Sequence, residues 1–126
     1  MAKDILIIVR HGPYGGFQAA EALRHANGAI SLGYRPIFVL TDDGVYLGKE
    51  GQDPGDSEWL PLDGTLEEVI ARGLYEIKET PAEFYVDRES LEQRGLDPEQ
   101  LIEGLELIDR EKIVDLMTAN HLQLLF

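Results

Sequence analysis

The residues richest in chemistry fall where three apolar runs end: Arg10-His11-Gly12-Pro13-Tyr14-Gly15-Gly16, Thr41-Asp42-Asp43-Gly44, and Asp87-Arg88-Glu89-Ser90. In the first, Gly12, Gly15 and Gly16 supply backbone freedom and Pro13 fixes a turn. A helix is expected to follow, and exposed backbone N–H groups at a helix start attract phosphate, sulfate or carboxylate. In the second, two adjacent acids at a strand end suit either a divalent cation or turn formation and helix capping. Nothing else in the sequence completes a coordination shell, so no metal is assigned. The third carries a carboxylate and a hydroxyl three residues apart. Sequence order alone assembles no nucleophile–base pair from His11 and Ser90. The reading is therefore a ligand-binding rim of His11, Gly12, Tyr14, Gly15, Gly16, Asp42, Asp43, Asp87 and Ser90, with no catalytic residue and no cofactor assigned.

The elements that must position this rim are legible from pattern. Ile5 to Val9 is a continuous β-branched run, as in a strand buried on both faces of a parallel sheet. Phe17 to Leu32 reads as a helix with Ala20, Leu23, Ala26 and Ile30 on one face, stopped by Gly33. Pro36 to Leu40 reads as a second strand, completing a βαβ unit. Residues 41–64 are irregular. Val45 to Leu47 allow one helical turn, and the rest reads as a contact surface or a surface insertion anchored by Trp59. Thr65 and Glu68 have the spacing of a capping box. Leu66, Val69, Ile70, Gly73, Leu74 and Ile77 then follow the spacing of one buried helix face, and Thr80-Pro81 closes that helix. Phe84 to Val86 is expected as a third strand. Ser90 with Gln93 suggests a short capped helix ending at Gly95, and Asp97-Pro98 starts another. Leu105 to Ile108 reads as a strand, and Asp109 as the cap of a helix through Thr118 with Ile113, Leu116 and Met117 inward. His121 to Phe126 reads as the terminal strand.

These elements give a single-domain α/β fold over residues 1–126: a three-layer sandwich with a mostly parallel five-stranded sheet. Ligands of such sheets bind at the carboxyl ends of the strands, which sets residues 10–16, 41–46 and 87–90 on one rim.

Bulk composition bounds the partners. With 24 Asp and Glu against 11 Lys and Arg, the formal charge is −13. Such a surface repels phosphate backbones and anionic lipid, so neither nucleic acid nor membrane is an expected partner. Met1 to Asp4 lead into an apolar run too short for a secretory signal, and the cytoplasm is the expected compartment. There is no cysteine.

Two family resemblances bear on function. Arg10-His11-Gly12 after a strand resembles the opening of the histidine phosphatases, which would make His11 a phosphoryl acceptor and Arg10 a phosphate ligand. That chemistry needs a second histidine, and neither His25 nor His121 is followed by the expected glycine. The longer resemblance runs nearly end to end. Pro13-Tyr14-Gly15-Gly16 into Ala19-Ala20-Glu21-Ala22-Leu23, then Thr41-Asp42-Asp43-Gly44-Val45-Tyr46, then Ser90-Leu91-Glu92-Gln93-Arg94-Gly95-Leu96, and finally Met117 to Phe126 together resemble the DsrE-like superfamily, specifically its DsrF/TusC-type subunits. This resemblance implies a cytoplasmic sulfur-relay or sulfur-oxidation setting and an oligomer, formed with copies of itself or with thiol-bearing DsrE-like subunits. Its thiol-bearing members use cysteine as persulfide acceptor. In some, that cysteine lies just after the third strand, where this chain has Asp87. A chain without a thiol cannot carry a persulfide, so the resemblance implies a non-catalytic companion subunit. The alternative it leaves open is a stand-alone homo-oligomer binding a small anion or nucleotide at the rim.

Overall fold

The computed structural model describes residues 3–14, 16–52, 66–75 and 81–126. Five strands, β1 (Asp4–Val9), β2 (Arg35–Leu40), β3 (Glu83–Asp87), β4 (Glu106–Ile108) and β5 (Gln123–Leu125), form one sheet in the order β4-β3-β2-β1-β5. Every strand pair is parallel, with registers such as Ile7↔Phe38, Phe38↔Phe84, Val86↔Leu107 and Ile8↔Leu125. The expectation of a mostly parallel five-stranded sheet is met, and the continuous apolar runs of β1 and β2 follow from burial on both faces.

The helices are α1 (Gln18–Ser31), α2 (Leu66–Tyr75), α3 (Arg88–Gln93) and α4 (Arg110–Ala119), with a 3-10 helix over Asp42–Gly48. One sheet face, carrying Ile7, Val9, Phe38, Leu40, Phe84 and Val86, packs on α1, α2, α3 and the 3-10 helix through Leu23, Ala26, Val69, Leu91 and Val45. The other face, carrying Leu6, Ile8, Ile37, Val39, Tyr85 and Ile108, is covered by α4 through Leu116 and Ile113. The result is three layers. No helix among the described residues is long and apolar enough to cross a membrane.

Four local expectations change. Leu74 and Met117, read as inward, are each 41% exposed. On α2 the contact with β3 is made by Gly73 instead, where a Cβ would stand 2.8 Å from Ala82 Cβ and 2.9 Å from Phe84 Cζ. On α4 only Leu116 is buried, and Met117, a 100° step around the helix, turns outward. Asp87, not Ser90, occupies the N-cap position of α3. Asp97 does cap, with Gln100 completing a capping box, but the element is one 3-10 turn over Pro98–Gln100. The helical turn expected at 45–47 extends over Asp42–Gly48. The proposed Thr65 cap, Ile77, Thr80 and Trp59 lie outside the described residues.

Candidate functional site at the strand ends

Parallel pairing brings the ends of β1, β2 and β3 to one edge of the sheet. Leu40 pairs with Val86, so the next residues, Thr41 and Asp87, are level with one another. Ser90, one turn into α3, lies above Asp87. A compact polar cluster results. Ser90 Oγ donates to Asp87 Oδ2 at 2.6 Å and Thr41 Oγ1 donates to the same oxygen at 3.0 Å. The backbone N–H of Asp42 donates to Ser90 Oγ at 2.9 Å. Asp87 and Ser90 are fully buried. Asp87 Oδ1, also buried, has no hydrogen-bond partner among the described residues.

A charged collar surrounds the cluster. Arg110, at the start of α4, lies 3.6 Å from Asp87 Oδ2 and 3.1 Å from Glu89. Arg88 pairs with Asp109 at 3.3 Å. Arg94 joins Asp43 at 2.9 Å and donates to the Ser90 carbonyl at 3.2 Å. Asp42 has φ of 49°, a left-handed conformation that Asp tolerates better than most residues. Its N–H bond to Ser90 holds it there. The adjacent acids therefore serve the turn: Asp43 ties it to α3 and Asp42 makes the bend.

The remaining rim residues separate from this cluster. Gly12, Tyr14 and Asp43 line an open cleft of about 490 Å³ together with Tyr46, Lys49 and Gln52. Tyr14 Oη donates to Gln52 Oε1 at 2.6 Å, and Gln52 Nε2 donates to the Tyr46 carbonyl at 2.8 Å, so Gln52 bridges the two walls. His11 turns towards the terminal strand, its Nδ1 2.8 Å from the Phe126 carbonyl. A carbonyl only accepts, so Nδ1 is the donor in this contact. The His25 ring packs against the Phe126 ring at 5.0 Å and a tilt of 45°, and its Nδ1 bonds the Glu21 carbonyl. Gly16 stands beside Gln18, whose Oε1 a Cβ would meet at 2.6 Å. Gly15 lies outside the described residues.

Sequence reading thus placed Asp87 and Ser90 together without their partners. Thr41 was discoverable, since like Asp87 it follows an apolar run by one residue and parallel neighbours end at one level. Arg94, Arg110, Tyr46, Lys49 and Gln52 were not singled out. Their places depend on where the connections turn, and no local pattern states that.

Comparison with known proteins agrees with the fold. A family model described as DsrE/DsrF-like family matches residues 3–124. A Pseudomonas aeruginosa protein named as a TusC homolog is 32% identical over 119 residues, spanning 93% of this chain and 92% of its own. The intracellular sulfur oxidation protein DsrF of Allochromatium vinosum is 34% identical over 137 residues, spanning 95% and 93%. The crystal structure of the ychN protein from E. coli superposes over the full length of both chains with a TM-score of 0.76 at 21% identity, a likeness of fold.

Proposed function

This chain belongs to the DsrE/DsrF-like family, and from that premise we propose that it is a cysteine-free companion subunit of a cytoplasmic sulfur-relay or sulfur-oxidation assembly, associating with thiol-bearing relatives. The observation that carries the reading is Asp87. It stands at the end of β3, where the resemblance implies a cysteine in some members, and no residue of the chain carries a thiol. A carboxylate there cannot form an S–S bond to an incoming sulfur. Two hydroxyls and Arg110 bind it instead, so the position does structural work within the rim. The names of the Pseudomonas and Allochromatium relatives support the setting. The deciding experiment reconstitutes sulfur transfer to a cysteine-bearing DsrE-like subunit with and without this chain. Faster or more complete persulfidation of that subunit in its presence is expected. Transfer that is indifferent to its presence, with no complex formed, would remove the companion role.

The cleft beside the cluster supports a second reading, a stand-alone oligomer that binds a small anion or nucleotide. Two tyrosines and Lys49 face a space large enough for a small molecule. A thermal shift screen with inorganic phosphate and nucleotides tests it, because a ligand of the folded state raises the melting temperature. No shift with any of them, in wild type or in Lys49→Ala, would leave the companion reading alone.

A further inference from the structure

The cleft at the strand ends carries two charges that the fold leaves uncommitted. Arg24, Arg35, Arg88, Arg94 and Arg110 each pair with a carboxylate. Asp43, on the cleft wall, is the partner of Arg94. Lys49 and Glu50 line the same cleft and are exposed. Among the described residues neither makes an ion pair, with the other or with any third group. One free ammonium and one free carboxylate thus border a single space of about 490 Å³.

The backbone that carries them is fixed. Lys49 forms an antiparallel bridge with Leu101. On either side of it, the Ile102 N–H donates to the Gly48 carbonyl at 2.8 Å and the Glu50 N–H donates to the Gln100 carbonyl at 2.7 Å. Charges on a fixed backbone recognise a ligand with less loss of entropy than charges on a mobile one. Pro13, Tyr14 and Tyr46 supply the apolar part of the wall. Tyr14 is 57% exposed, yet its hydroxyl is tied to Gln52, and Gln52 to the Tyr46 carbonyl. A wall of aromatic surface with a few polar groups at set places suits a small molecule. Charge then selects the class. A phosphate or nucleotide is a multiply charged anion. It would meet one lysine, one carboxylate and the field of a chain of net charge −13. A zwitterion escapes that repulsion and gives each free group an opposite partner in a charge-assisted hydrogen bond.

We propose that the cleft binds an α-amino acid with an apolar side chain. Lys49 takes its carboxylate, Glu50 its ammonium, and Tyr14 and Tyr46 its side chain. This assigns the cleft a different ligand from the anion or nucleotide of the second reading and is independent of the companion role. NMR titration of the isotope-labelled full chain tests it with L-phenylalanine, with phenylpropionate, which lacks the ammonium, with phenethylamine, which lacks the carboxylate, and with inorganic phosphate. L-phenylalanine is expected to shift the amide resonances of Gly12, Gly51 and Gln52 and to saturate below about 10 mM. Each half-ligand is expected to bind about tenfold to hundredfold more weakly. Lys49→Gln is expected to weaken L-phenylalanine and phenylpropionate and spare phenethylamine. Glu50→Gln is expected to weaken L-phenylalanine and phenethylamine and spare phenylpropionate. Both positions are exposed, and the spectrum of each variant reports whether it is folded. No shift with L-phenylalanine up to about 10 mM, phosphate binding in its place, or an affinity for L-phenylalanine that either variant leaves unchanged overturns the proposal. Phosphate binding would at the same time favour the second reading. None of these results touches persulfidation of a partner, so the readings fail separately.

Discussion

Asp87 is held where a carboxylate is costly, fully buried with one oxygen unpartnered among the described residues and the other shared by two hydroxyls and faced by Arg110. A buried polar group without a partner costs about 1–3 kcal/mol. The cluster is therefore sensitive to further loss. Ser90→Ala removes a donor to Asp87 and the acceptor of the Asp42 N–H together, and is expected to lower unfolding free energy by about 1–3 kcal/mol in urea denaturation. A cost under a few tenths would mean the hydroxyl is replaceable by water. Tyr85, on the α4 side of the same strand, has its phenol pKa pushed up to about 12 by burial, then by the charges of Glu83 and Glu106 and a hydrogen bond to Glu83. The folded state thus holds this proton more tightly than the unfolded chain does. Its contribution is fully present below the ordinary phenol pKa near 10 and is lost as pH rises towards about 12. Tyr85→Phe is expected to flatten that alkaline limb in melting experiments across pH, and an unchanged slope would refute the assignment. Residue types alone had already marked Asp87 and Ser90 as notable. They did not show that both would be buried, because burial here depends on α3 folding over the end of β3.

Among the elements, the turn after β2 is the most constrained. A Cβ at Gly44 would stand 2.1 Å from the Val9 carbonyl oxygen, and backbone cannot yield as a side chain does. Gly44→Ala is expected to cost about 3 kcal/mol or more, seen as a large fall in melting temperature or failure to accumulate folded protein. Wild-type stability would show that the 3-10 helix can lift off β1. At the other end of the strands, Arg35 donates two hydrogen bonds to Asp4, at 2.8 and 2.6 Å. These bonds hold the Asp4 carboxyl below its ordinary value against a partial desolvation. The stabilisation is present above the ordinary carboxyl pKa of 3.8 and disappears as pH falls through the lower folded value. Because Asp4 is about one-third exposed, screening keeps the pair small. Asp4→Asn is expected to cost about 0.5–1 kcal/mol at pH 7 and nothing at strongly acid pH. An equal deficit at both would place the effect in packing. Element type was largely legible: β1, α1 and β2 follow from apolar run, alanine-rich amphipathic stretch and apolar run. Boundaries and short helices were less so. Ser90 and Gln93 have the spacing of a cap, yet Asp87 takes the N-cap position because β3 runs one residue beyond Val86 and α3 begins at once.

For the molecule as a whole, a mostly parallel sheet was implicit in the two-sided apolar runs of β1 and β2. The order β4-β3-β2-β1-β5 was not, since it depends on which crossovers pass over which face. That order sets the inner strand ends beside one another, where they gather the Asp87 cluster and the cleft. The measurement closest to the central claim is native mass spectrometry of the tagged full chain purified from its own cells. The account predicts cysteine-bearing DsrE-like chains in fixed ratio with this one, the persulfide mass residing on them. Assemblies built of this chain alone, with no thiol-bearing relative in any preparation, would contradict it.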